Sequence, residues 1–265
     1  MTDWIRANKS SKCPICNKEQ WCLIAKDMSA VICPRVEEGS KKYIEGSGYL
    51  HILKPGEYKR ANPEWKQELP EHNTVLAQLA KKQIKARAED KLDLVASDLQ
   101  VPADTLKRLY MGWSGTHNGA TFPMFRHKRR VIGIRIRTMT GKKFAVKGSR
   151  QGLFLPEGWD NNPKNGVLVC EGPTDTAAAL SLGFDAIGRP SCLGGTHLIS
   201  EAVSGRRVAI IADDDGPGMD GARRLQKHLD KLCPSCKIVV PPCSDMREWV
   251  RSGVTKQEVV DVIRQ

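Results

Sequence analysis

Between residues 165 and 265 the sequence alternates short apolar runs with helix-forming segments, and this alternation restricts the fold more than any other feature. Residues 167–171, 208–213 and 237–242 are apolar enough to form buried strands. Residues 176–184 and 221–232 between them have the composition and periodicity of helices. Strands separated by helices form parallel sheets with the helices packed on them. The sequence therefore predicts an α/β fold for this part of the chain.

Acidic residues stand where two of these strands end. Glu171 closes the first strand, and Asp213 and Asp215 close the second. Ligands of open parallel sheets bind beyond the carboxyl ends of the strands, and clustered carboxylates need a bound cation or shifted pKa values. Mg²⁺ prefers carboxylate oxygens and water, so we expect a magnesium site here. The alternative is that acids such as Asp175 only cap helices, and the acid pattern alone does not decide between the two.

Composition excludes several classes of protein. No apolar run approaches the roughly 18 residues that a membrane span needs. The first residues lack the apolar core of a signal peptide, so we expect a cytoplasmic protein that binds no membrane. In that compartment the nine cysteines are thiols or metal ligands rather than disulfides.

Four cysteines lie close together near the N-terminus. A Cys-x-x-Cys pair supplies two thiolates to one ion, and two more cysteines complete a tetrahedral, structural Zn²⁺ site. The predicted ligands are Cys13, Cys16, Cys22 and Cys33, with His51 in reserve. The alternative is four unrelated buried thiols. Cys233, Cys236 and Cys243 form a second group without a convincing fourth ligand, and we interpret their proximity as coincidence.

The middle of the chain carries most of the formal net charge of +12. Residues 121–150 contain ten Lys or Arg and no acid, which is typical of a surface that binds nucleic acid, although a solvated charged face is the alternative. Apolar residues at 132, 134 and 136 alternate with Gly133, Arg135 and Arg137, which predicts a β-hairpin with one buried face. The basic residues predicted on its solvent face are Arg135, Arg137, Lys143 and Lys147, and Arg126 and Arg150 are further candidates for phosphate contacts.

These features divide the chain into four parts. We predict a zinc-binding ribbon over 1–55, a linker over 56–73, a basic α+β subdomain over 74–164 and the α/β domain over 165–265. The proposed linker is polar, charged and rich in proline.

The segments VLVCEGPTD, VAIIADDDGPGMDGA and CSDMREWV resemble the TOPRIM domain of bacterial-type DNA primases, type IA and II topoisomerases and some nucleases. The shared motif is a strand-end Glu-Gly followed by a strand-end Asp-x-Asp, here Glu171-Gly172 and Asp213-x-Asp215. In primases a later acid adds to the metal site, which implies a role for Asp245. Arg247 departs from the polar or acidic residue usual at its position.

A zinc ribbon, a basic middle and a TOPRIM domain in this order resemble the bacterial and phage DNA primases, in a compact phage-like or mobile-element-like form without a fused helicase. The stretch ATFPMFRHKRRVIGIRIRT resembles their polymerase core. The resemblance implies synthesis of RNA primers from NTPs on single-stranded DNA, with Mg²⁺ or Mn²⁺ on Glu171, Asp213, Asp215 and Asp245, and template binding by the ribbon. No P-loop occurs in the sequence, so we expect a separate helicase. A TOPRIM nuclease and a non-catalytic, zinc-containing single-stranded-DNA-binding protein remain alternatives.

Overall fold

A computed structural model describes residues 4–8, 11–26, 29–53, 69–126, 130–159 and 166–265, with side chains in the first helix described from residue 75. The chain divides into two compact units, Met1–Thr74 and Val75–Gln265. Most of the predicted linker lies outside the described residues. No described helix has both the length and the apolar character needed to cross a membrane.

The first unit contains a five-stranded antiparallel sheet in the order β1-β2-β3-β5-β4. Its strands are β1 (Trp4–Arg6), β2 (Leu23–Ala25), β3 (Ala30–Cys33), β4 (Lys42–Ile44) and β5 (Gly48–Ile52). The central strand β3 is buried along its whole length. Small apolar clusters cover its two faces, and one of them contains three of the four predicted zinc ligands among its buried residues, Cys13, Cys22 and Cys33.

The second unit begins with helices and an antiparallel sheet in the order β6-β7-β8-β9. Its elements are the part of α1 (Leu69–Lys85) from Val75 onward, α2 (Glu89–Leu99), α3 (Ala103–Arg108), β6 (Gly112–Ser114), β7 (Gly119–Arg126), β8 (Arg130–Thr138) and β9 (Lys143–Ala145). The predicted alternation is confirmed in β8, where Ile132, Ile134 and Ile136 are buried. Ile134 packs against Leu76 and Ala80 of α1, so the first helix covers the apolar face of this sheet.

The remainder of the second unit is the predicted parallel sheet, with strand order β11-β10-β12-β13. Its elements are β10 (Val167–Glu171), α4 (Gly172–Ser181), β11 (Ala186–Arg189), α5 (Thr196–Val203), β12 (Arg207–Ile211), α6 (Gly216–Leu229), β13 (Ser235–Val239), α7 (Met246–Arg251) and α8 (Lys256–Arg264). The α/β prediction is therefore confirmed. The sequence predicts three of the four strands and misses β11, whose four residues include a glycine and an arginine and precede a proline.

A short segment joins the two sheets of the second unit. Leu153 exchanges backbone hydrogen bonds with Phe125 of β7, and Phe154 exchanges them with Gly188 of β11. Side chains from both sheets share one apolar core, since Phe125 and Ile132 belong to the same buried cluster as Val169, Ile187 and Ile210. The antiparallel sheet of β6 to β9, called the basic sheet below, is therefore held in a fixed position beside the carboxyl ends of the parallel strands.

Candidate active site

The two central parallel strands deliver their terminal acids to one edge of the sheet. β10 and β12 pair in parallel, with Val169 opposite Ile210, so Glu171 and Asp213 follow at the same end of neighbouring strands. Burial, and then the charges of Glu171, Asp245 and Asp215, raise the pKa of Asp213 to about 6. The four predicted magnesium ligands therefore lie close enough for their charges to interact, as expected of carboxylates that bind a cation.

Two of these acids also cap helices. The Oδ1 atom of Asp215 accepts a hydrogen bond from Gly218 N at 2.5 Å, and the Oδ1 atom of Asp245 accepts one from Glu248 N at 2.7 Å. The sequence left capping and metal binding as alternatives. One carboxylate can do both, because one oxygen accepts the capping hydrogen bond and the other can bind a metal ion. The caps fix the orientation of both carboxylates before any cation binds.

The fifth acid in this cluster is Asp175, which the sequence suggested only as a helix cap. It lies in the first turn of α4, is 7% exposed and accepts a hydrogen bond from Arg247 N at 3.2 Å. Burial, and then the charges of Asp245 and Asp213, raise its pKa to about 7. Its spacing of four residues from Glu171 was the available signal, because α4 begins immediately after that glutamate.

The sequence also missed Arg189, which ends β11 and is only 1% exposed. Its Nη2 atom lies 3.8 Å from Glu171 Oε2, and its Nη1 atom donates to the Cys192 carbonyl at 2.7 Å. Burial lowers the pKa of Arg189, and the charge of Glu171 opposes that effect. Arg189 thus places a positive charge against the acids, as does Arg247, whose Nη2 atom lies 3.6 Å from Asp245 Oδ2, and both offset part of the repulsion.

The acids offer the carboxylate oxygens that a hydrated hard cation binds. Among the described residues, only the four N-terminal cysteines bring three or more metal-ligating atoms within 4.8 Å of one another. Mg²⁺ usually binds one or two carboxylates directly and keeps several waters, so it does not need a tighter set of acids. The donor chemistry and the raised pKa of Asp213 therefore fit such an ion.

The cysteine cluster fits zinc in its donor set and in its spacing. The ligating atoms of Cys13, Cys16, Cys22 and Cys33 all lie within 4.8 Å of one another. Hydrogen bonding, first of all with Cys13, raises the pKa of Cys22 and Cys33 and lowers that of Cys16. Thiols that share protons in this way are suited to bind one metal ion as thiolates.

Arg35 lies beside the cysteines, whereas the reserve ligand His51 does not. Arg35, which the sequence did not indicate, places Nη1 3.4 Å from Cys22 Sγ and 3.7 Å from Cys16 Sγ. A guanidinium there balances the negative charge of a four-thiolate site. His51 instead places Nε2 2.9 Å from the Val36 carbonyl and does not belong to the cluster.

The second cysteine group does not form a metal site among the described residues. None of Cys233, Cys236 and Cys243 belongs to a group of three or more metal-ligating atoms that lie within 4.8 Å of one another. Cys233 Sγ instead donates to the Val203 carbonyl at 3.4 Å.

The basic hairpin exposes only part of its predicted face. Lys143 and Lys147 are exposed, as predicted. Arg135 and Arg137 are partly buried, so the expectation that all four share an open solvent face is wrong for these two. Arg135 donates to the Pro190 carbonyl at 2.5 Å, and Arg137 forms an ion pair of 2.8 Å with Asp98. Partners from distant elements hold them, which alternation within one strand cannot reveal. Arg126 and Arg150 are half-buried.

Comparison with solved structures identifies the fold. No protein-family model and no curated protein matches the sequence. The structure is similar to the DnaG catalytic core, with a TM-score of 0.60, 16% identity and coverage of 73% of this chain and 79% of that one. It is also similar to the DnaG primase catalytic domain bound to ssDNA, with a TM-score of 0.59, 15% identity and coverage of 77% and 83%.

The primase fragment of the bacteriophage T7 primase-helicase protein matches over a longer part of the chain. The TM-score is 0.50 at 12% identity, and the match covers 98% of this chain and 100% of that one. The chain therefore has the fold of the bacterial and phage-type primases. The resemblance inferred from the acidic motifs is confirmed at the level of the fold.

Proposed function

We propose that this protein is a DNA primase that synthesises short RNA primers on single-stranded DNA. The observation that carries the proposal is the convergence of Glu171, Asp213, Asp215 and Asp245 at one edge of the parallel sheet, in a chain with the primase fold. The acids of a TOPRIM fold serve more than one reaction, so the assay must identify the product.

The carboxylates would hold Mg²⁺ or Mn²⁺, which when bound neutralises the triphosphate of a nucleotide and the charge that develops in nucleotidyl transfer. Asp215 and Asp245 are oriented by their capping hydrogen bonds, so the protein has fixed their positions before substrate arrives. Arg189 lies beside Glu171 at the end of β10, with Nη2 3.8 Å from Glu171 Oε2. The contribution of these residues is positioning, with no side chain required as a nucleophile.

Single-stranded DNA would bind along the basic sheet. Lys143 and Lys147 are exposed there, and Arg137 lies opposite Lys143 in the strand register. Arg126 and Arg150 border the segment that leads to the parallel sheet. Lysine and arginine contacts of this kind bind phosphates without reading the base sequence, so the affinity falls with added salt.

The zinc ribbon and the remaining partners complete the proposal. Zinc on the four cysteines would stabilise the first unit, whose own apolar clusters are small. We propose that this unit binds template, that NTPs are the substrates, that a separate helicase unwinds the duplex and that the protein is cytoplasmic.

The test incubates the purified chain with single-stranded DNA, labelled NTPs and Mg²⁺. We expect primers from the wild type and from Asp214→Asn, a matched control because Asp214 is exposed between the two motif acids. Glu171→Gln should reduce synthesis about 100-fold or more, while binding of single-stranded DNA stays unchanged. Shortened template instead of primers would indicate a nuclease. Neither product, with binding intact, would indicate a non-catalytic binding protein.

A further inference from the structure

The loop between β11 and α5, residues 190–195, lies against the acidic cluster. Arg189 connects the two, because its Nη1 atom donates to the Cys192 carbonyl at 2.7 Å and its Nη2 atom lies 3.8 Å from Glu171 Oε2. On the other side the loop packs so closely on α6 that a Cβ atom on Gly221 would overlap the Cys192 carbonyl. Arg135 of the basic sheet donates to the Pro190 carbonyl at 2.5 Å. The loop is therefore held from several sides, next to the carboxylates.

Buried polar atoms converge on this loop. Gln151, in the segment that joins the two sheets, is 8% exposed, and neither its amide nitrogen nor its amide oxygen has a hydrogen-bond partner. Its Oε1 atom lies 2.5 Å, and Ser191 Oγ 2.8 Å, from the position of a Cβ atom on Gly194. Ser191 Oγ is also without a hydrogen-bond partner. Uncompensated burial of such groups is costly, so this arrangement points to a ligand that supplies the hydrogen bonds.

Arg189 adds a buried positive charge to the same place. Its Nε and Nη2 atoms have no hydrogen-bond acceptor, although Nη2 lies 3.8 Å from Glu171 Oε2. The side chain is 1% exposed, so water does not screen its charge effectively. Two guanidinium donors therefore remain available beside the acids.

The N-terminus of α5 opens from the same loop. Gly195 precedes the helix with φ +83°, a conformation that favours glycine, and no side chain caps the helix. The first intrahelical hydrogen bond runs from Ile199 N to the Gly195 carbonyl, so the N–H groups of the first turn have no acceptor within the helix. An uncapped helix N-terminus favours a negatively charged ligand.

We propose that Gln151, Ser191, Arg189 and the N-terminus of α5 form a cradle for the phosphates of the incoming nucleoside triphosphate. An oxyanion fits because guanidinium, amide, hydroxyl and backbone N–H groups all donate hydrogen bonds. A phosphate chain fits better than a single anion because Arg189 of the cradle lies 3.8 Å from Glu171, and a cation on the carboxylates would bind the same phosphates. This inference rests on the proposed function, since it names where that site takes its substrate.

Gln151→Glu tests the cradle because it keeps the shape of the side chain and replaces a donor with a negative charge. The matched control is Gln83→Glu, because Gln83 in α1 is also 8% exposed and also has an unpaired Oε1 atom. Binding of ATP, GTP, CTP and UTP, and of adenosine as a phosphate-free probe, is measured by equilibrium dialysis with Mg²⁺ and no DNA. Thermal unfolding of each variant shows that it is folded.

We expect Gln151→Glu to raise the Kd of the triphosphates at least about tenfold, since it places like charges together, while Gln83→Glu changes it less than about twofold. Gln151→Leu, which removes the donor without adding charge, serves if the glutamate variant does not fold, and should weaken binding by about three- to tenfold. Adenosine should bind equally to all variants. Equal triphosphate affinity in the wild type and the folded Gln151 variants would overturn the cradle, as would wild-type affinity no greater for ATP than for adenosine.

Triphosphate binding and primer synthesis, measured on the same variants, separate the cradle from the proposed function. Triphosphate binding that depends on Gln151, in a protein that makes no primers, would retain the cradle and reject the primase. Primer synthesis with triphosphate binding that is indifferent to Gln151 would retain the primase and reject the cradle.

Discussion

Asp175→Asn probes the acidic cluster through the free energy of unfolding, without needing an activity. The folded protein raises the pKa of Asp175 from an ordinary 3.8 to about 7, mainly by burial. A shift of about three units at about 1.4 kcal/mol each amounts to about 4 kcal/mol. Because the raised pKa means that the folded state holds the proton more tightly, the contribution of Asp175 to the free energy of unfolding is greatest below pH 4 and is lost as the pH rises through 7.

About 2.5 kcal/mol of that loss falls between pH 5 and pH 8, where urea unfolding can be followed in buffer without Mg²⁺ or Mn²⁺ while the protein keeps its zinc. Asparagine keeps an oxygen that can accept the hydrogen bond from Arg247 N. We therefore expect Asp175→Asn to be more stable than the wild type at pH 8, by up to about 4 kcal/mol, and to show a shallower pH dependence. Asp214→Asn, at an exposed position, should keep the wild-type slope. A wild-type slope in Asp175→Asn would refute the reasoning.

Three further predictions address other parts of the molecule. Cys22→Ser should lose bound zinc in a colorimetric assay and the ordered structure of the first unit by circular dichroism, whereas Cys236→Ser should keep both. Lys147→Ala should reduce the salt dependence of single-stranded DNA binding by about 0.7 in the slope of log K against log salt, and an unchanged slope would place this lysine away from the DNA. Gly221→Ala should lower the thermal unfolding temperature and weaken triphosphate binding together, because its methyl group would displace the loop at Cys192; wild-type stability would contradict the close packing.

The parallel sheet and its terminal acids could be predicted because their signals are local. An apolar run that ends in Glu171, and another that ends in Asp213, define both the strands and the edge where the acids meet. The zinc ligands were likewise visible in the cysteine spacing, and all four cysteines lie together in the structure.

The rest of the site depends on contacts between distant parts of the chain. Arg189 lies on a strand too short to show a pattern, and its partner is 18 positions away in the sequence, at Glu171. Asp175 is buried because α7 packs against α4 and supplies its backbone donor. Arg137 is partly buried because Asp98 of α2 reaches it. A local pattern gives the type of each residue, but tertiary packing decides whether it is exposed or paired.

The most direct test of the proposed metal site is a titration with Mn²⁺. The electron paramagnetic resonance signal of unbound Mn²⁺ reports how much of the ion the protein binds. We expect the wild type to bind Mn²⁺, Mg²⁺ to displace it, and Asp213→Asn to weaken Mn²⁺ binding at least about tenfold at unchanged zinc content. If the variant and the wild type bound Mn²⁺ equally, or if neither bound it, the carboxylates at this edge of the sheet would not form a metal site.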